Sequence, residues 1–82
     1  MANKELKYEV INILGVISEG TKGWNKELTR VSWNQGEPKY DIRTWGDDHK
    51  KMGKGITLTE EELRQLKKLI DEEIEFLDSD PA

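Results

Sequence analysis

Residues 39–62 read KYDIRTWGDDHKKMGKGITLTEEE, and this stretch contains the signals that decide the fold. Its first seven residues alternate, with Tyr40, Ile42 and Thr44 on one side and charged residues together with Trp45 on the other. This period of two is typical of a β-strand whose two faces meet different surroundings. The first seven residues are therefore predicted to form a strand.

A helix is predicted to follow, because the end of the same stretch fits a capping box. The Thr59 hydroxyl can accept a hydrogen bond from the Glu62 amide, while the Glu62 carboxylate reaches back to the Thr59 amide. The acidic residues of the first turn also suit the positive end of the helix dipole. Beyond them, apolar residues recur every three or four positions and form a wide stripe. The stripe consists of Leu63, Leu66, Leu69, Ile70, Ile74 and Leu77, with Phe76 on its flank. A tail is expected at 78–82.

Three further strands are predicted around the first. Residues 8–18 are rich in β-branched side chains, and residues 24–33 alternate in a mixed way after a flexible turn at 19–23. A short strand at 55–58 follows a polar loop at 46–51. Four strands followed by one helix place the chain in the α+β class.

The composition predicts one small domain that needs a partner. The chain has 82 residues, 34% apolar and 37% charged, and it has no cysteine, so disulfides and thiolate metal sites are excluded. Small domains without such cross-links usually need dense helix packing or oligomerisation. We therefore expect one domain over 1–82, with a core at about 7–77, that forms a homodimer. The helical stripe can pack on the protomer's own sheet, on a partner chain, or on both.

Neither a membrane segment nor an export signal is expected. Residues 1–6 are polar and contain two lysines, unlike a signal peptide. The most apolar stretch, residues 8–17, is too short to span a bilayer and contains Glu9 and Asn12. We expect a cytoplasmic, nucleoid-associated protein.

Catalytic chemistry is poorly supported by the sequence. The one histidine, His49, follows two aspartates in the polar loop, and we expect it at a solvated surface position and not in a metal site. Gly53 and Gly55 lack the spacing of a phosphate-binding loop, and no serine or histidine shows a nucleophile with its base. We therefore expect no enzymatic activity, no metal and no cofactor.

Charge is segregated along the chain. Residues 60–82 contain nine acidic and three basic residues, a net charge of −6, whereas residues 1–59 contain ten basic and eight acidic residues, a net charge of +2. Local potential decides where a polyanion binds, so the net charge of −4 does not exclude nucleic acid.

Basic and aromatic residues are interleaved on the predicted strands. Bases of a single strand stack on aromatic rings, and its phosphates pair with Lys or Arg. The third strand presents Lys39, Arg43 and Trp45 on one side, and we expect Trp45 to be an exposed platform. The second strand adds Lys26, Arg30 and either Trp24 or Trp33; each of these tryptophans can equally belong to the core. Lys54 shares parity with core positions, but its flanking glycines can accommodate a bulge that turns it outward.

Residues 40–45 and 51–62 together resemble the C-terminal domain of transcriptional positive cofactor four, and most of all its compact bacterial relatives, the YdbC-type proteins. The likeness runs from about Tyr8 through the helix. It implies a four-stranded antiparallel curved sheet followed by one helix, the Whirly-like fold of single-stranded DNA-binding regulators, with dimerisation through the helices. It also implies that the two sheets hold single-stranded DNA with little sequence preference.

Carried over by position, Arg43 and Lys54 match basic residues that face the DNA backbone, and Trp45 lies at or next to a stacking aromatic. The complete predicted binding set is Lys26, Arg30, Trp33, Lys39, Arg43, Trp45 and Lys54. The predicted dimer interface is Leu63, Leu66, Ile70, Ile74 and Leu77. We expect a role in transcription regulation, replication or repair, with RNA as an open alternative partner. A second hypothesis is a protein-interaction module whose acidic helix docks on the transcription machinery.

Overall fold

A computed structural model describes residues 7–79 as a four-stranded antiparallel sheet followed by one helix. The strands pair in sequence order. The elements are β1 (Tyr8–Glu19), β2 (Asn25–Trp33), β3 (Lys39–Gly46), β4 (Lys51–Leu58) and α1 (Glu60–Ser79), with a short 3-10 turn at Thr21–Gly23. The predicted α+β class and element order are confirmed.

Two predicted boundaries are wrong. Strand β4 begins at Lys51 rather than at residue 55. The loop predicted at 46–51 is a four-residue turn at 47–50, because Gly46 ends β3 and Lys51 begins β4. Helix α1 continues through Ser79, so the predicted tail starts too early, and residues 80–82 lie outside the described residues.

A bulge in β4 explains the glycine pair that obscured this strand in the sequence. Arg43 pairs with Gly55 and Trp45 pairs with Met52, so Gly53 and Lys54 together oppose the single residue Thr44. An added Cβ at Gly55 would overlap the Arg43 side chain and the Ile42 carbonyl, so the two strands approach too closely for any side chain there. Lys54 is exposed, as the predicted bulge requires.

Register shifts also occur along β1, between Val10 and Asn12, Ile13 and Gly15, and Val16 and Ser18. Bulges bend a strand and increase its twist. They let β1 wrap along β2 over 12 residues.

The two sides of the sheet differ in what they contact. One side, here called the aromatic face, contains Trp33, Arg43 and Trp45 and encloses the fully buried Thr29 and Asp41. The other, here called the helix face, contains Leu28, Tyr40 and Ile42, over which α1 lies.

The predicted capping box is present at the start of α1. The Thr59 amide donates to Glu62 Oε1 at 2.8 Å, and the Glu62 amide donates to Thr59 Oγ1 at 3.1 Å. The helix start is therefore fixed by local side chains.

Replacing Thr59 by alanine should remove one of these bonds and lower the free energy of unfolding by about 1 kcal/mol. Urea denaturation followed by circular dichroism measures this loss. Thr59→Ser keeps the hydroxyl and should stay close to the parent; an equal loss in both variants would contradict a capping role.

Within residues 7–79, no helix is both long and apolar enough to cross a bilayer.

Candidate nucleic-acid interface

Arg43 is held inside the aromatic face by Asp41. Its Nε donates to Asp41 Oδ2 at 2.6 Å and its Nη2 donates to Oδ1 at 3.0 Å, a two-pronged ion pair. Asp41 is fully buried, and the Arg43 side chain is only 13% exposed. Thr57 Oγ1 also donates to Asp41, at 3.0 Å, and Arg43 Nη1 donates to the Gly53 carbonyl at 3.2 Å. The expectation of a free cation at Arg43 is therefore wrong.

Trp45 is also enclosed, with 1% exposure, so the prediction that it is an open stacking platform is wrong. Its ring lies 5.5 Å from that of Tyr8 and 5.4 Å from that of His49, measured between centroids. Trp33 is half-buried beside Tyr8, and the Arg43 guanidinium lies 5.0 Å from its ring centroid. The rings of this face therefore pack at tilted angles against other side chains of the protein.

The turn after β3 is what covers Trp45. Asp47, Asp48 and His49 all adopt positive φ, which folds the chain back over the sheet. Tyr8 Oη donates to the His49 carbonyl at 2.6 Å, and His49 Nε2 lies 2.6 Å from Glu27 Oε1. The predicted solvated position of His49 is therefore wrong. No cluster of three or more His, Asp or Glu in the described part of the chain is arranged to hold a metal ion.

The seven predicted binding residues do not share one surface. Lys26 pairs with Thr44 and Arg30 with Tyr40, which places both cations on the helix face. Arg30 Nη1 donates to Asn12 Oδ1 at 3.1 Å. Trp33, Lys39, Arg43 and Trp45 lie on the aromatic face, and Lys54 lies in the bulge. The exposed cations of the set are Lys26, Lys39 and Lys54.

The sequence left open whether Trp24 or Trp33 is exposed, and in the structure Trp24 is the more exposed of the two. It is 36% exposed, more than the half-buried Trp33, and its ring lies against Gly46 and close to Gly53. The two glycines were a usable signal, because a missing side chain leaves room for a ring. Which ring fills that room depends on strand pairing, which the sequence does not specify.

An apolar groove remains open between α1 and the helix face. Its cavity of about 650 Å³ has charged residues along its rim. Its apolar lining is Ile17, Leu28, Tyr40, Ile42, Leu63, Leu66 and Ile70. Of the predicted interface, Leu63 and Leu66 are half-buried, whereas Ile70, Ile74 and Leu77 are exposed.

Apolar exposure continues beyond the groove onto β1 and the second half of α1. The further exposed side chains are Ile11, Ile13, Leu14, Val16, Leu69 and Phe76. Ile13 and Val16 pair with Thr29 and Glu27 of the aromatic face, so this exposure is spread over both sides of the sheet. Large apolar exposure of this kind, centred here on the groove, often marks an interaction site.

Sequence comparison matches part of this architecture to a known family. The family model described as Transcriptional Coactivator p15 (PC4) matches residues 21–69. The chain is also similar to an uncharacterized protein of Treponema pallidum (strain Nichols), with 44% identity over 70 residues that cover 85% of this chain and 82% of that protein. The family match includes β2, β3, β4 and the first half of α1.

Proposed function

Because this chain belongs to the Transcriptional Coactivator p15 (PC4) family, we propose that it binds single-stranded DNA as a homodimer, with little preference for sequence. The family is one of nucleic-acid-binding domains without enzymatic activity. The match over residues 21–69 is the observation that carries the proposal, because it spans the strands that bear the exposed lysines. Transcription regulation, replication or repair in the bacterial nucleoid is the setting that fits such a protein.

Electrostatic contact with phosphates falls to the exposed cations. Lys26, Lys39 and Lys54 are exposed, and none of the four ion pairs within residues 7–79 uses them. Arg30 is half-exposed and can contribute beside them. Arg43 contributes indirectly, by holding the aromatic face together.

The homodimer is supported by the open groove and by the exposed apolar stripe. Stable interfaces bury about 800 Å² on each partner. A second copy of α1 supplies apolar residues that match the groove lining, and the surface removed from water adds stability to a domain with a small core. Leu63, Leu66, Ile70, Ile74 and Leu77 remain the proposed contacts.

A salt titration tests the binding function. Affinity for an oligo-dT strand should fall steeply as salt rises, because each neutralised phosphate releases counterions. If the three exposed lysines of both protomers contact phosphates, the slope of log K against log salt should be about −4, at roughly −0.7 per contact. Fluorescence anisotropy at several salt concentrations measures it.

Two charge variants sharpen this titration. Lys54→Gln should flatten the slope by about 1.4 in a dimer. Lys68→Gln, on the exposed side of α1, removes the same charge and should leave the slope unchanged. No binding at low salt, or binding indifferent to salt, would refute the function. Competition with RNA and duplex of equal length defines the preferred partner.

The acidic helix supports a second candidate, a module that binds a protein of the transcription machinery. No residue of α1 is buried, and Phe76 and Leu77 are among its exposed apolar residues. This candidate would replace the first if the purified chain ignored single strands and bound a basic transcription protein through α1.

A further inference from the structure

The indole of Trp24 lies face-down on the backbone at the end of the sheet. A Cβ added to Gly46 would lie 2.9, 2.9 and 3.0 Å from Cδ2, Cε2 and Cε3 of the ring. Nearly equal distances to three atoms of one six-membered ring place Gly46 over the face of that ring, not beside its edge. One face of the indole is thus covered by backbone, and the 36% exposure of Trp24 leaves the other side accessible to solvent.

The ring is held in place by its surroundings. A Cβ at Gly53 would lie 3.7 Å from Trp24 Cζ3, so the indole extends from β3 toward β4. The Trp24 amide donates to the Thr21 carbonyl at 3.1 Å, which fixes the backbone before β2. An aromatic side chain that is already ordered loses little conformational entropy when a ligand stacks on it.

Lysines flank the same ring on the same side of the sheet. Gly46 pairs with Lys51, and Thr44 pairs with Lys26. Residues directly opposite each other in an antiparallel pair point to the same face, so both lysines lie on the side that Trp24 covers. Exposed Lys54 sits in the neighbouring bulge.

We propose that Trp24 is the stacking platform for a nucleobase of the single strand, with Lys26, Lys51 and Lys54 contacting the adjacent phosphates. This inference rests on the proposed function and specifies one point on the path of the strand: a base stacks at the end of the sheet, on the helix-face side, and not on Trp33 or Trp45. An open indole face surrounded by cations fits a planar base joined to phosphates. By contrast, Trp45 is enclosed by Tyr8 and His49.

The test compares Trp24 variants on two ligands of equal length, oligo-dT and a strand without bases. Trp24→Ala should weaken oligo-dT binding roughly five- to 150-fold, the range for one stacked base. Trp24→Phe keeps an aromatic face and should lose much less, whereas Trp24→Leu, which only covers Gly46, should behave like alanine. On the baseless strand all four proteins should bind alike.

The possible outcomes distinguish a failure of base stacking on Trp24 from a failure of single-stranded DNA binding as a whole. If the parent chain does not bind oligo-dT, the proposed function fails and the platform with it. If the parent binds and Trp24→Ala binds equally well, the platform is wrong while the function stands. An equal loss on the baseless strand, or a change in oligomeric mass, would assign Trp24 a structural role and overturn the inference.

Fluorescence gives a readout that does not require the alanine variant to fold. Stacking of a base on an exposed indole quenches its emission, and Trp24 is the most exposed of the three tryptophans. Saturating oligo-dT should quench the parent strongly and Trp24→Phe only weakly. Equal quenching in both proteins would contradict stacking at this ring.

Discussion

Replacing Arg43 by alanine should lower the free energy of unfolding by about 3–5 kcal/mol. The fully buried Asp41 carboxylate would lose its counterion and keep only the hydrogen bond from Thr57. The free energy of unfolding of a domain of this size is roughly 4–12 kcal/mol. This single change should therefore remove a large part of it. Urea denaturation followed by circular dichroism gives the difference.

Two controls identify the source of the loss. Asp41→Asn combined with Arg43→Met removes both charges together, so it should recover much of the stability lost by Arg43→Ala, because no buried charge is left unpaired. Lys39→Ala, on the same strand but exposed, should change stability by no more than about 0.5 kcal/mol. Normal stability of Arg43→Ala with weakened DNA binding would instead make Arg43 a phosphate contact.

The Asp41–Arg43 ion pair also shows what the alternation of residues along a strand cannot predict. Alternation correctly placed Asp41, Arg43 and Trp45 on one face and Ile42 on the other. It does not say which face is covered, and charged residues are seldom buried unless paired. The usable signal was the pair itself, because opposite charges two residues apart on a strand lie on the same face and can neutralise each other.

The sequence predicted the interactions between neighbouring residues correctly, but it did not predict which distant residues cover Trp45. The capping box at Thr59 depends on four consecutive residues, and it forms as predicted. The cover over Trp45 depends on Tyr8 and Glu27, which lie 41 and 22 residues from His49 in the sequence. No local sequence pattern connects such distant residues. The sequence therefore predicted an exposed aromatic face, whereas the structure encloses it.

Replacing Ile70 by glutamate should break the proposed homodimer. Ile70 lines the groove and is 44% exposed in the protomer, so a dimer through α1 would bury the new carboxylate in an apolar interface. Burying an unpaired charge costs several kcal/mol, enough to lower the dimerisation constant by a factor on the order of 1,000. Sedimentation or native mass measurement at micromolar concentration should show a monomer.

The loss of the dimer should also be visible in stability and in binding. The melting temperature of the parent should rise with protein concentration, because association stabilises the folded state, and that dependence should vanish in Ile70→Glu. A long oligo-dT should bind the monomer more weakly than the dimer, since two linked sites gain from their effective concentration, while a strand too short to reach both sheets should bind the two forms alike.

Gln65→Glu adds the same charge on a different side of α1 and should remain dimeric. A dimeric Ile70→Glu would mean that the subunits associate through another surface, and the exposed apolar residues of β1 would then be the next to replace.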